Sequence, residues 1–160
     1  MAPIKWLQGN LTPSIDGTSN TVNGTQFNAR MAAALKTIYD SGDRNAVVFS
    51  HGGAIMFWTL MNAKNLTLVQ KFTILQTAAL KNTDYVVIEG NPEDGWTLVN
   101  WNGTQYSTEP TLEAQVALQV RTLTRQLAAS AQQVIDALKT QDITKVIAAV
   151  RQGVSDAAYS

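Results

Sequence analysis

Hydrophobic residues recur with helical spacing in the first third of the chain. Beginning near Gln26, apolar side chains follow one another at intervals of four, four and three residues, at Phe27, Met31, Leu35 and Ile38. This spacing places them on one face of a helix. Turn-forming residues and a glycine at 40–43 predict where that helix ends.

A different pattern occupies residues 46–49, where Ala, Val, Val and Phe follow one another without a polar interruption. An unbroken β-branched and aromatic run predicts a strand covered on both faces, as in a parallel sheet. Ser-His-Gly-Gly follows at 50–53, and the apolar stretch at 54–61 is typical of a buried helix. The order helix, strand, glycine turn, helix is the repeating unit of an α/β sheet.

The remaining segments of the first 108 residues complete this picture. Residues 1–25 are rich in Gly, Asn, Pro, Ser and Thr and predict irregular loop, while residues 66–75 are helical or mixed. Strand-like runs at 85–88 and 96–99 flank a Pro and Asp-Gly cluster, which predicts a β-hairpin. The predicted fold is a partial three-layer α/β/α arrangement, with a mixed, mostly parallel sheet and an antiparallel edge hairpin.

From Pro110 onward the pattern is helical throughout. Apolar residues repeat at spacings of three and four over a long helix, at Leu112, Val116, Val120, Leu123, Leu127, Ala131, Val134 and Leu138. A second helix follows Asp142 as its N-cap. We therefore expect a core domain at 1–108 and a C-terminal helical hairpin at 109–160. The hairpin either packs on its own core or offers a surface to a partner.

Composition narrows the functions that this fold can serve. The 160 residues include 12 basic and 12 acidic side chains, one histidine and no cysteine. Disulfides, thiolate metal sites and two-histidine metal sites are excluded within one copy, and we expect neither a metal nor a cofactor. A charged fraction of 15% without basic excess argues against a nucleic-acid partner.

The sequence gives weaker indications of localisation and membrane association. No window reaches the roughly 18 apolar residues of a membrane span, and no signal peptide begins the chain. The low charge and the many Asn, Gln, Thr and Ser residues favour a location outside the cytoplasm, although the compartment stays open.

The single histidine occupies a position that suits anion chemistry. His51 follows the predicted strand and precedes two glycines and a helix, so it lies at the carboxyl end of the sheet, where open α/β folds bind ligands. Free amides at a helix start attract anions. A phosphate or carboxylate site and a capping histidine both fit this placement.

Three motifs in order resemble the histidine phosphatase superfamily, also called phosphoglycerate mutase-like, over about residues 20–103. Ser-His-Gly-Gly at 50–53 resembles its second histidine motif, and Gly-Thr-Gln-Phe-Asn-Ala-Arg at 24–30 resembles its upstream helix start, with Thr25 where an acid is expected. Residues 80–85 and 96–102 resemble its closing Asn-Thr strand and terminal Trp-x-Leu-x-x-Trp-Asn segment. The Pro-Ile-Lys-Trp-Leu start is similar to actinobacterial members of unassigned substrate.

The resemblance covers the carboxyl-terminal half of that family's domain and implies specific roles. His51 would steady the transferring phosphoryl group, and Gly52, Gly53, Arg30 and Asn82 would contribute to phosphate binding. Each also has a simpler interpretation: a tight turn for the glycines, a solvated helix residue for Arg30 and a turn residue for Asn82.

The family's Arg-His-Gly nucleophile motif is absent from these 160 residues. We therefore expect a truncated phosphomonoesterase or mutase domain that is inactive alone and whose ligand would be a phosphorylated small molecule or phosphate. Its partner would be a second copy or a separate amino-terminal half. The alternative is a non-catalytic binding or assembly module that uses the helical hairpin and an exposed sheet edge.

Overall fold

A computed structural model describes residues 2–15, 22–139 and 143–159. The chain divides into two compact units, Met1–Thr111 and Leu112–Ser160. The first unit has helices on a small antiparallel sheet, and the second has two helices. The fold is therefore mixed α/β.

The elements follow one another in this order: α1 (Ala2–Leu7), α2 (Gly24–Asp40), α3 (Gly52–Asn62), α4 (Leu68–Thr77), β1 (Val86–Asn91), β2 (Gly95–Trp101), β3 (Thr104–Gln105), α5 (Leu112–Lys139) and α6 (Ile143–Tyr159). The first seven belong to the first unit and the last two to the second.

Helix α2 begins at a reciprocal cap. The Asn23 side chain accepts a hydrogen bond from the Gln26 backbone N–H at 2.8 Å, and the Gln26 side chain accepts one from the Asn23 backbone N–H at 3.1 Å. This satisfies two amides that a helix start otherwise leaves unpaired. The predicted row of apolar residues from Phe27 to Ile38 is half-buried on one face of α2, which confirms the periodicity.

The sheet is antiparallel and has three strands in the order β1-β2-β3. The predicted hairpin is present: Ile88 pairs with Leu98 and Asn91 with Gly95, with a register shift between Val87 and Ile88. The expected mostly parallel sheet and its three layers are wrong for this structure. Within the described residues, the sheet consists of the two hairpin strands and the short β3, and every strand pairing in it is antiparallel.

The run at 46–49 is where that expectation fails. Residues 46–50 have no helix or strand assignment and are exposed, with Val47 at 82% and Phe49 at 93% of their full accessible surface. Among the described residues, no backbone hydrogen bond involves this segment. An unbroken apolar run shows that a segment is suited to burial in a sheet, but a sheet forms only where neighbouring strands are present to pair with it.

The core of the first unit lies between α3, α4 and the sheet. Leu60, Leu98 and Trp101 are almost fully buried, and the Trp101 indole N–H donates to the Ala78 carbonyl at 2.8 Å. The expected buried helix at 54–61 is largely confirmed, since α3 buries Trp58, Thr59 and Leu60. Trp58 also contacts Trp96 edge to face, with ring centres 5.8 Å apart.

A buried side-chain amide connects this core to β2. Asn65, between α3 and α4, accepts a hydrogen bond from the Leu98 N–H at 2.9 Å and donates to the Leu98 carbonyl at 2.8 Å. It also donates to the Ser107 carbonyl at 2.8 Å. Both backbone groups of Leu98 on this side of β2 are thus satisfied by one side chain, in the place of a neighbouring strand.

Replacing Asn65 tests how much this amide contributes. We expect Asn65→Ala to lower the free energy of unfolding by at least about 1–3 kcal/mol, the cost of one buried polar group left unpaired. Asn65→Asp keeps an acceptor for the Leu98 N–H but loses both donors, so it is also destabilised. Urea unfolding monitored by tryptophan fluorescence measures both. Stability unchanged in Asn65→Ala would contradict the role.

Residues 2–15 contain a helix that their composition did not predict. Helix α1 buries Trp6 and Leu7, and the Trp6 ring stacks on Phe27 of α2 with centres 5.4 Å apart. The Trp6 indole N–H donates to the Pro13 carbonyl at 2.8 Å. Because the ring is held on two sides, it leaves no room beside Gly24, where an added Cβ would lie 2.7 Å from a ring carbon.

Gly24→Ala is therefore expected to force Trp6 from its site and to lower the free energy of unfolding by about 1–3 kcal/mol, the usual cost of overpacking. Gly53→Ala is the matched control, because its added Cβ meets nothing within 4 Å and alanine favours the helix. Thermal unfolding compares the two variants. Equal melting temperatures would show that Trp6 moves aside without cost.

The second unit is a helical hairpin. Helices α5 and α6 approach closely where Gly153 meets Ser130, since a Cβ at Gly153 would lie 2.8 Å from the Ser130 Cβ. Ala137 is buried and Leu123 and Val134 are half-buried, but most of the predicted apolar row on α5 is exposed. The expected N-cap Asp142 lies outside the described residues.

Candidate functional site

His51 stands immediately before helix α3. Its backbone is extended, at φ −80° and ψ 144°, and its carbonyl accepts the first helical hydrogen bond from Ile55 N–H at 3.0 Å. Its side chain makes no capping hydrogen bond and is exposed. The capping interpretation therefore holds for the backbone of His51 and not for its imidazole.

The two glycines after His51 differ in their surroundings. A Cβ at Gly52 would lie 3.2 Å from the Leu80 carbonyl oxygen, so Gly52 lets the start of α3 pack closely on the segment that follows α4. Gly53 is exposed and open. Close packing accounts for Gly52, which favours the tight-turn interpretation there.

Asn82 lies in a turn beside that contact. The turn is held by the Asp84 carboxylate, which accepts from the Lys81 N–H at 2.7 Å, and by the Asp84 N–H, which donates to the Lys81 carbonyl at 3.2 Å. Thr83 has a positive φ of 71°. Asn82 itself is exposed, so its position agrees with the turn-forming role.

Arg30 is exposed on α2, which agrees with its interpretation as a solvated helix residue. The structure places Gly52 against the Leu80 carbonyl, two residues before Asn82. In the described ranges, no three Asp, Glu or His side chains are grouped as metal ligands need to be. Among the same residues, no helix has both the length and the apolar character needed to cross a bilayer.

The most distinctive surface of the described residues is on the hairpin and not at His51. Leu112, Val116, Val120 and Leu127 of α5 are more than half exposed, as is Val154 of α6. The sequence showed the row on α5 but not that it would remain uncovered. The uncovered part follows from the lengths of the two helices in the structure, because the 17 residues of α6 cannot cover the 28 residues of α5.

Comparison with known proteins gives one named relative. The chain is 34% identical over 167 aligned residues to a PE-PGRS family protein, PE_PGRS11, of Mycobacterium tuberculosis, and the match covers 98% of this chain. The chain spans 28% of the length of that curated relative. No protein-family model and no solved structure matches the chain.

This comparison corrects one expectation. The sequence motifs describe the chain as a phosphate-binding hydrolase of the histidine phosphatase, phosphoglycerate mutase-like superfamily. That description is wrong, because the named relative is a PE-PGRS family protein. The motif resemblance over residues 20–103 and the implied role of His51 stay predictions from the sequence. The mixed α/β content is compatible with the fold that the sequence predicted.

The exposure of His51 leads to a direct test. We expect the chain to show negligible hydrolysis of p-nitrophenyl phosphate, because the His51 side chain is exposed and the chain contains no second histidine. The measurement is the release of p-nitrophenol by wild type and His51→Ala. Strong turnover that His51→Ala abolishes would contradict this expectation.

Proposed function

We propose that this chain is a non-catalytic assembly module that pairs with a second copy of itself through its helical hairpin. The supporting observation is the row of apolar side chains that α6 leaves uncovered on α5. Two helices alone bury little apolar surface, and a helix pair usually reaches stability by packing its remaining apolar face on further helices.

The position of α6 along α5 determines which part of the row stays free. Three residues connect the two helices, so they run antiparallel. Gly153 lies against Ser130, and therefore Tyr159, the last residue of α6, is about level with Thr124. About 12 residues of α5 extend past α6, a length of roughly 18 Å at 1.5 Å per residue.

The extension and the paired region present different apolar surfaces. The extension carries Leu112, Val116 and Val120 at intervals of four, which places them in one row. Where the helices run side by side, they form a shallow apolar groove lined by residues of both, at Leu127, Ser130, Ala131, Val134, Val150, Gly153, Val154 and Ala157.

A second copy offers a groove for the apolar row of the extension and an apolar row for the groove. An apolar helix row packs into the groove between two neighbouring helices, and the extension of one copy offers such a row to the groove of the other. The reverse contact forms at the same time, which closes a two-fold dimer. Such a dimer has the helix packing of a small bundle.

Charge does not oppose this pairing. Residues 112–160 contain five basic and four acidic side chains, a net charge of about one, at Arg121, Arg125, Lys139, Lys145, Arg151, Glu113, Asp136, Asp142 and Asp156. Two copies therefore approach without strong repulsion, and removal of apolar surface from water drives the association.

Light scattering on a sizing column tests the dimer. We expect wild type to have twice the mass of one copy and Val116→Lys to weaken association at least about tenfold, which corresponds to about 1.4 kcal/mol. A lysine at 116 places a charge in the centre of the apolar row. Circular dichroism checks that the helix content is unchanged.

Leu118→Lys is the matched control. Leu118 is 56% exposed and Val116 is 51% exposed, but two residues along a helix rotate the side chain by about 200°, so Leu118 is on the opposite face. We expect Leu118→Lys to remain dimeric. A single-copy mass for wild type at all concentrations, or equal effects of the two lysines, would overturn the proposal.

A further inference from the structure

We propose that residues 46–50 form a second self-association site, at which the segments of two copies pair as antiparallel β-strands centred on Val48. This inference comes from the first unit and does not depend on the hairpin dimer.

Residues 46–50 have the composition of a buried strand, but among the described residues they are exposed and unpaired. Ala, Val, Val and Phe are apolar and mostly β-branched or aromatic, as in strands. Yet Val47 and Phe49 are almost fully exposed, and within the described residues no backbone amide or carbonyl of 46–50 is paired with another backbone group. A backbone whose amides and carbonyls are unpaired, with apolar side chains beside it, is a template for strand addition.

The order of residues makes the segment complementary to itself. In an antiparallel pair centred on Val48, Val48 faces Val48 of the second copy, Val47 faces Phe49, and Ala46 faces Ser50. Alternate residues point to the same face, so two Val47 and two Phe49 side chains form one apolar cluster. Pairs of aromatic and β-branched residues across strands are favourable, and the small residues meet at the ends.

The flanking residues present no electrostatic obstacle. Residues 45–53 carry no formally charged side chain when His51 is neutral, and Asp43 and Arg44 just before them cancel. Because the strands are antiparallel, the Asp43 and Arg44 side chains of the two copies lie at opposite ends of the paired segment, so like charges do not meet directly. A two-stranded ribbon of five residues is marginal on its own, so this contact is weak and depends on concentration.

Cysteine cross-linking tests the pairing, because the natural chain contains no cysteine. Residues that face each other in an antiparallel pair have Cα atoms about 4.5–5.5 Å apart, within the range of a disulfide. We expect Val48→Cys to form a disulfide-linked dimer under mild oxidation. Val69→Cys is the control, since Val69 is 75% exposed on α4, away from this segment in sequence.

A mixing experiment tests the register. Ala46→Cys and Ser50→Cys should each cross-link poorly alone and should cross-link efficiently when mixed, because position 46 faces position 50 of the other copy. Failure of Val48→Cys to exceed Val69→Cys would overturn the proposal. Equal cross-linking of Ala46→Cys with itself and with Ser50→Cys would overturn the register.

Adding Val116→Lys to Val48→Cys separates this site from the hairpin. We expect the double variant to keep its disulfide-linked dimer even where Val116→Lys alone has a single-copy mass. Loss of cross-linking in the double variant would show that the strands meet only when the hairpins pair, which contradicts independent association. A hairpin that fails to dimerise while Val48→Cys still cross-links would remove the proposed function and leave this site standing.

Discussion

The first unit depends on the amide of Asn65, which satisfies both backbone groups of Leu98 and the carbonyl of Ser107 from one buried side chain. On the side of β2 away from β1, β3 covers only the end of the strand, where it pairs with Asn100 and Trp101. Asn65 takes over in the middle of β2, next to the almost fully buried Leu98. The α3–α4 connection is thereby held against the sheet, and Trp101 reaches the end of α4 at Ala78. A polar residue in a loop thus connects helices and sheet where the strands alone cannot.

Two apolar surfaces are exposed in a single copy of this chain. The segment around Val48 and the α5 row around Val116 belong to different units, yet both combine several apolar side chains with high exposure. Exposed apolar surface of this kind marks interaction sites more often than scattered single residues do. The two proposed pairings use separate surfaces, and two-fold contacts at both would build assemblies larger than a dimer.

The His51 region has the sequence pattern of an anion site without the side-chain arrangement that such a site requires. The sequence placed a histidine and two glycines at a helix start, which suits anion binding. In the structure the imidazole is exposed, Gly52 serves close packing against Leu80, and Arg30 is exposed on α2. A helix start supplies partial charge, but binding a phosphoryl group also requires side chains that converge on it. The similarity to a PE-PGRS family protein assigns no chemistry to these residues.

The sequence by itself determined the elements whose cause is local. The apolar spacing from Phe27 to Ile38 gave α2, the glycine and Pro cluster after residue 88 gave the turn of the hairpin, and the long repeat after Pro110 gave α5. It did not reveal α1, because that helix is held by Trp6 stacking on Phe27, a contact between distant residues. Only the tertiary structure decided that residues 46–50 pair with no strand of the described residues and that α6 leaves part of α5 uncovered. The physical reason is that periodicity reports which face of an element is apolar, whereas burial depends on which other elements are present to cover it.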